Sequence, residues 1–184
     1  MLGVCTKVGA RERRLLKDFE EVKKLVQESN GLLVVRHYGN PPEVYYIEIR
    51  GIYGIERINE EKRPILRDYH EFTIDLRTGY PYNPPRIYFN TPIFHPNIWP
   101  SRLVCIEDVW NPSHTLRDII IDIVNRIQYY SPEKVNLESV ANKEAAKWVK
   151  NNQWWLFSKN RSNFPRVPFP PTPIISKEEE EIEW

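Results

Sequence analysis

The hydrophobic period of this chain switches once, and the switch limits the possible folds more than any other feature. Between Leu32 and Phe89, β-branched and aromatic residues recur in short runs: LLVVRHY at 32–38, EVYYIEIRGIYG at 43–54, DYHEFTIDL at 68–76 and RIYF at 86–89. Turn residues separate them, notably Gly39-Asn40-Pro41-Pro42, the charged bend at 60–64 and the proline-bounded GYPYNPP. Runs of this kind read as strands, and strands joined by short turns read as an antiparallel meander. From Thr115 the spacing changes to that of a helix, with Leu116, Ile119, Ile120, Ile123, Val124 and Ile127 on one broad apolar face and Thr115 in capping position.

Helices are expected on both sides of the meander. Residues 11–28 place Leu15, Phe19, Val22 and Val26 on one face of an amphipathic helix that Asn30-Gly31 should stop. A later helix is expected from Ser139 to about Trp155, where good helix formers abound and proline is missing. Past Phe164 the prolines and closing glutamates suit an extended tail. A helix, a meander and then helices define an α+β fold, with a core domain over 11–157 and a Pro-rich, acidic tail over 158–184.

A length of 184 residues suits one domain with an appendage. The 26 basic and 25 acidic residues leave a net charge of +1, so no global field draws the chain to nucleic acid or an anionic membrane. The early charges of MLGVCTKVGARERR do not suit a secretory signal, and no later apolar run is long enough to span a bilayer. A soluble, cytoplasmic protein with reduced thiols is the expectation. Its two cysteines, Cys5 and Cys105, lack zinc-ligand spacing, so no metal site is expected.

The segment IYFNTPIFHPNIWPSRLVC, 87–105, leaves strand periodicity after Phe89 and presents His95, Asn97 and Cys105 on an irregular loop. Loops run over surfaces and carry function disproportionately. By itself Cys105, flanked by Leu103, Val104 and Ile106, would read as a small buried hydrophobe. Its surroundings argue otherwise. Tyr80-Pro81-Tyr82-Asn83-Pro84-Pro85, Phe94-His95-Pro96-Asn97-Ile98, a cysteine eight positions after that asparagine, and Trp110-Asn111-Pro112 together resemble the signature of ubiquitin-conjugating enzymes. The resemblance covers about residues 11–155.

The resemblance implies a conjugating enzyme. Cys105 would accept ubiquitin or a ubiquitin-like modifier as a thioester from an activating enzyme and pass it to a substrate lysine or a ligase, since a thiolate is both a good nucleophile and a good leaving group. ATP is used upstream by the activating enzyme, and this chain needs no cofactor. Asn97 would donate to the oxyanion or else order the loop. His95 is expected to fix the loop, and Trp110 to anchor packing. Ser139 falls where the family borders its cleft, and Glu107, Asp108 and Glu138 are nearby acids that could orient the amine. Partner contacts with the activating enzyme and a RING-type ligase would fall on Arg11, Arg13, Arg14 and Lys17 of the first helix and on Tyr82, Pro112 and Ser113. Protein substrates, and neither nucleic acid nor membrane, complete the expected partners.

Two departures from the family pattern stand out: IWPSRLV carries Pro100 and no glycine, and the Cys105–Trp110 segment is short. The alternative function is a catalytically weak binding or scaffold protein of the same fold that presents a modifier or ligase; the presence of Cys105 with Asn97 in register favours the enzyme. A Cys-His hydrolase would need a base with a third orienting group, and neither His95 nor His114 has one in the sequence.

Overall fold

A computed structural model describes residues 9–106, 110–130, 132, 135–157 and 164–165, and three helices and four strands fall within them. Helix α1 spans Ala10–Glu28. It stops as expected: Asn30 and Gly31 both take positive φ, 49° and 84°. The Ser29 hydroxyl donates to the Val26 carbonyl and accepts from the Leu33 amide, tying the helix end to the first strand.

Strands β1 (Leu33–Gly39), β2 (Pro42–Ile58), β3 (Pro64–Asp75) and β4 (Arg86–Phe89) pair in sequence order as an antiparallel meander. β2 and β3 run further than their apolar patterns indicate. The ladder breaks between Arg50 and Gly54, where Gly51 has φ 69°, and then resumes through Gly54↔Arg67 to Ile58↔Pro64. The charged bend closes that hairpin, with Asn59 accepting from the Arg63 amide through its side chain and Lys62 at φ 62°. At Gly54 a side chain would meet Ile127 at 2.8 Å, so the hairpin lies directly on the helix beyond it.

That helix, α2, spans Leu116–Ile127 and begins with a capping box: Thr115 accepts from the Asp118 amide, and the Asp118 side chain accepts from the Thr115 amide. α3 spans Lys143–Phe157 and starts four residues later than its composition suggests. Asn142 caps it, accepting from the Ala145 amide at 3.0 Å, while 136–139 are engaged elsewhere.

The main core lies between the sheet and α1 and α2, and includes Leu15, Val22 and Leu25, Tyr45, Ile47 and Phe72 from the sheet, and Ile120 and Ile123. Ile55, Tyr129, Val135, Val149 and Leu156 form a second cluster that holds α3. Phe164, beyond the expected core boundary, is 6% exposed and belongs to the main core. The rest of the expected tail lies outside the described residues apart from Pro165. Among the described residues no helix is long and apolar enough to cross a membrane.

A polar hub joins three elements. Asp18, on the inward stripe of α1, is fully buried. One carboxylate oxygen accepts from the Arg14 Nε at 2.8 Å and the Tyr80 hydroxyl at 2.5 Å, and the other from the Leu116 amide at 3.0 Å. Burial, with the bond to Asp18, holds the Tyr80 phenol well above its usual range.

Candidate active site

After β4 the chain is guided back over the sheet by main-chain bonds. The Phe94 amide donates to the Ile55 carbonyl at 2.7 Å, and the Tyr129 hydroxyl donates to the Phe94 carbonyl at 2.6 Å. His95 follows, fully buried, its ring 4.8 Å from that of Tyr129. Its Nδ1 accepts from the Asn97 amide at 3.0 Å, which places the ring hydrogen on Nε2. Burial, reinforced by the nearby Arg126 charge, pushes the imidazole down to about 3, so it is neutral at neutral pH. His95 is thus a buried, neutral ring bonded to the main chain two residues on.

Asn97 is 2% exposed, and its side chain is saturated. Nδ2 donates to the Asn136 carbonyl at 2.7 Å and the Ser139 carbonyl at 3.0 Å, while Oδ1 accepts from the Asn136 amide at 2.9 Å. Both amide hydrogens are therefore committed to main-chain oxygens. The strap that Asn97 holds is itself turned by Asn136, whose Oδ1 accepts from the Glu138 and Ser139 amides. The Ala141 and Asn142 amides then donate to the Pro96 carbonyl.

Between Asn97 and Cys105 the chain makes a narrow hairpin without glycine. Ile98 bridges Val104, the Trp99 amide donates to the Leu103 carbonyl, and the Arg102 amide closes the turn on the Trp99 carbonyl. Arg102 takes the left-handed conformation, φ 72°, that a glycine would adopt more easily. Its guanidinium donates to the Asn90 carbonyl, 2.7 Å, and lies over the Tyr88 ring. Leu103 bridges Tyr88, which adds the hairpin to the edge of the sheet. Pro100 thus fits a defined turn.

Cys105 leaves this hairpin half-buried, between Val104 and Ile106, which are 3% and 6% exposed. Its amide donates to the Asn97 carbonyl at 2.9 Å, and its carbonyl accepts from the Arg126 Nη1 at 3.3 Å. The cysteine is thus held at main-chain level from two directions, in a position that leaves part of the residue open. A groove of about 560 Å³ lies between Asn83 and Pro84 of the proline turn, Arg86 of β4, and Leu103 and Val104, the two residues before Cys105.

The other expected site residues divide. Ser139 is brought to the site through its carbonyl bond to Asn97. Glu107 and Asp108, like Cys5, lie outside the described residues. Tyr82 is 81% exposed, and Pro112 and Ser113 are exposed. Trp110 packs against the main core and the Tyr80 ring. Arg11, exposed, and Arg14, half-buried, both reach across to other elements. Arg11 donates to the Tyr80 and Leu76 carbonyls and pairs with Glu43. Arg14 bonds Asp18, the Tyr80 hydroxyl and the Pro112 and His114 carbonyls. Arg13 and Lys17 are exposed, as is Arg11. Among the described residues no group of three His, Cys, Asp or Glu is placed to hold a metal ion.

Asp18, Arg126 and Asn136 were missed by pattern reading. The first two leave a trace in the sequence: each is a charged residue on the inward stripe of an amphipathic helix.

Residues 60–163 match the family model of ubiquitin-conjugating enzymes, more than half of the chain. The chain belongs to the ubiquitin-conjugating enzyme family. Among curated proteins it is similar to ubiquitin-conjugating enzyme E2 7 of Triticum aestivum, at 32% identity over 43% of this chain. The match spans 53% of that relative's length. Among solved structures, the fold is shared with a Trypanosoma cruzi protein described as a ubiquitin-conjugating enzyme, at 17% identity and TM-score 0.58, over 83% of this chain and 97% of that one. It is shared also with Ubc12 of S. cerevisiae, at 21% identity and TM-score 0.58, over 83% and 77%. The family's opening helix, four-stranded meander and following helices are thus all present.

Proposed function

We propose that this protein carries ubiquitin or a ubiquitin-like modifier as a thioester on Cys105. The observation that carries the reading is the presentation of Cys105: partly exposed between two buried neighbours, its amide locked to Asn97 and its carbonyl to Arg126. A merely structural thiol has no need of exposure, whereas a nucleophile must be reached.

In the first step the Cys105 thiolate attacks the carbonyl carbon of the modifier's C-terminal thioester on an activating enzyme. The new C–S bond forms as the old one breaks, and the activating enzyme's cysteine leaves as thiolate. In the second, the neutral amine of an acceptor lysine attacks the same carbon. The C–N bond forms, the amine gives up a proton, and Cys105 departs as thiolate. Asn97 contributes by joining the 136–139 strap to the main chain that holds Cys105, so that the site is assembled before the acceptor arrives. The groove between the proline turn and Leu103 offers space for the chain that flanks the acceptor.

Incubation with an activating enzyme, modifier and ATP should give an adduct that reductant removes. Cys105→Ser should give at most a slower adduct that resists reductant. An undiminished adduct on Cys105→Ala would overturn the reading.

A further inference from the structure

The last turn of α2 carries a charge where an apolar side chain would pack more simply. Arg126 lies seven residues after Ile119 and three after Ile123, on the inward stripe, and its side chain is 7% exposed. Removing a guanidinium from water is costly unless its donors are well used. Here Nε donates to the Asp122 carboxylate at 2.7 Å, and Nη1 reaches the carbonyl of Cys105 at 3.3 Å. The first bond stays within α2, between residues four apart. The second ties the helix to the main chain of one residue, 21 positions earlier in the chain.

We propose that Arg126 is a positioning residue for Cys105, holding its main chain from below and setting a positive charge within one side chain's reach of Sγ. The inference rests on Cys105 being the acyl carrier. The carbonyl oxygen and Sγ belong to the same residue, so the charge that binds the one is near the other. A nearby cation favours a thiolate, the form that attacks and the form that leaves in both transfer steps. The groups facing Arg126 are named readily. From its own helix, Asp122 offsets part of the charge, its side chain 28% exposed. From the 94–98 loop comes His95, which Arg126 helps to keep neutral and which therefore adds no charge of its own. The cation's field is thus felt on the loop that carries the site.

The test uses the full chain with Cys5→Ser, which leaves Cys105 as the remaining thiol of the two. The rate of alkylation by iodoacetamide is followed against pH, which reads thiolate formation without any modifier or activating enzyme. Arg126→Met should raise the apparent thiol pKa by about one pH unit, the size expected when a partly neutralised cation is removed from a thiol's surroundings. Asp122→Asn, which removes the offsetting carboxylate, should lower it, and Arg126→Lys should stay nearer the parent than Arg126→Met. Superimposable profiles for the parent, Arg126→Met and Asp122→Asn would overturn the proposal. Should Arg126→Met fail to fold, as circular dichroism would show, an unmoved Asp122→Asn profile overturns it alone. A parent whose thiol responds as expected but takes no acyl group would instead overturn the reading of Cys105 as carrier, leaving the tie between Arg126 and the thiol supported.

Discussion

Substituting Asn97 by alanine separates two accounts of one residue. The change removes three hydrogen bonds, two donated to the Asn136 and Ser139 carbonyls and one accepted from the Asn136 amide. At about 1 kcal/mol net for each, the loss is about 3 kcal/mol, and more if the carbonyls remain buried. For a domain of this size that lowers the melting temperature by about 6–12 °C. Charging of Cys105 and discharge to lysine should both slow, because Asn97, whose carbonyl holds the Cys105 amide, loses its anchor on the 136–139 strap. Asn136→Ala gives an internal control: it removes the bonds to the Glu138 and Ser139 amides and so loosens the same strap, without touching Asn97. The two variants should therefore show defects of the same kind, read by differential scanning calorimetry and single-turnover gel assays. If Asn97→Ala instead kept its melting temperature and its charging rate while discharge fell by about 100-fold, and Asn136→Ala behaved as parent, the oxyanion account would stand and the strap argument would be refuted.

Stability should fall with acid below about pH 6.5. Burial holds His70 down to about 4 and His95 to about 3, so the unfolded chain takes up protons there that the folded chain does not, and each histidine costs about 2 kcal/mol by pH 5. A melting temperature flat between pH 7 and pH 5 would contradict this. Phe164→Ala should cost about 3 kcal/mol in urea unfolding, as for other buried phenylalanines, and no loss would show that its burial adds nothing. Asp18→Ala leaves the Tyr80 hydroxyl and the Leu116 amide without an acceptor and should cost about 3 kcal/mol; a neutral result would remove the hub from the account of the fold.

Local patterns were legible and long-range polar bonds were not. Hydrophobic period yields α1, α2 and the four strands, because burying one face of an element imposes its period on neighbouring residues, while α3 follows from composition. His95, Asn97 and Cys105 lie within eleven residues of each other, so their clustering was visible in one short stretch. The ends of β2 and β3 were missed because the pairing there is irregular, with a second register shift between Ile55 and Arg57. The start of α3 was misplaced because Ser139 is drawn to a residue 42 positions away. Arg14 illustrates the remaining limit: on an isolated helix it is one more exposed cation, and only the folded chain brings Tyr80, Pro112 and His114 to its donors.

The buried carboxylate of Asp18 has a consequence for grafting experiments. Because one side chain satisfies groups from α1, the Tyr80 turn and the start of α2, those three pieces form the smallest portable module of the fold. A chimera that imports another relative's opening helix by itself would strand the Tyr80 hydroxyl and the Leu116 amide, unless the donor helix brings a carboxylate at the same register. A donor helix without that carboxylate can then be transplanted only together with the Tyr80 turn and the start of α2, with the exposed Arg13 and Lys17 carried on a helix whose inner face is already spoken for.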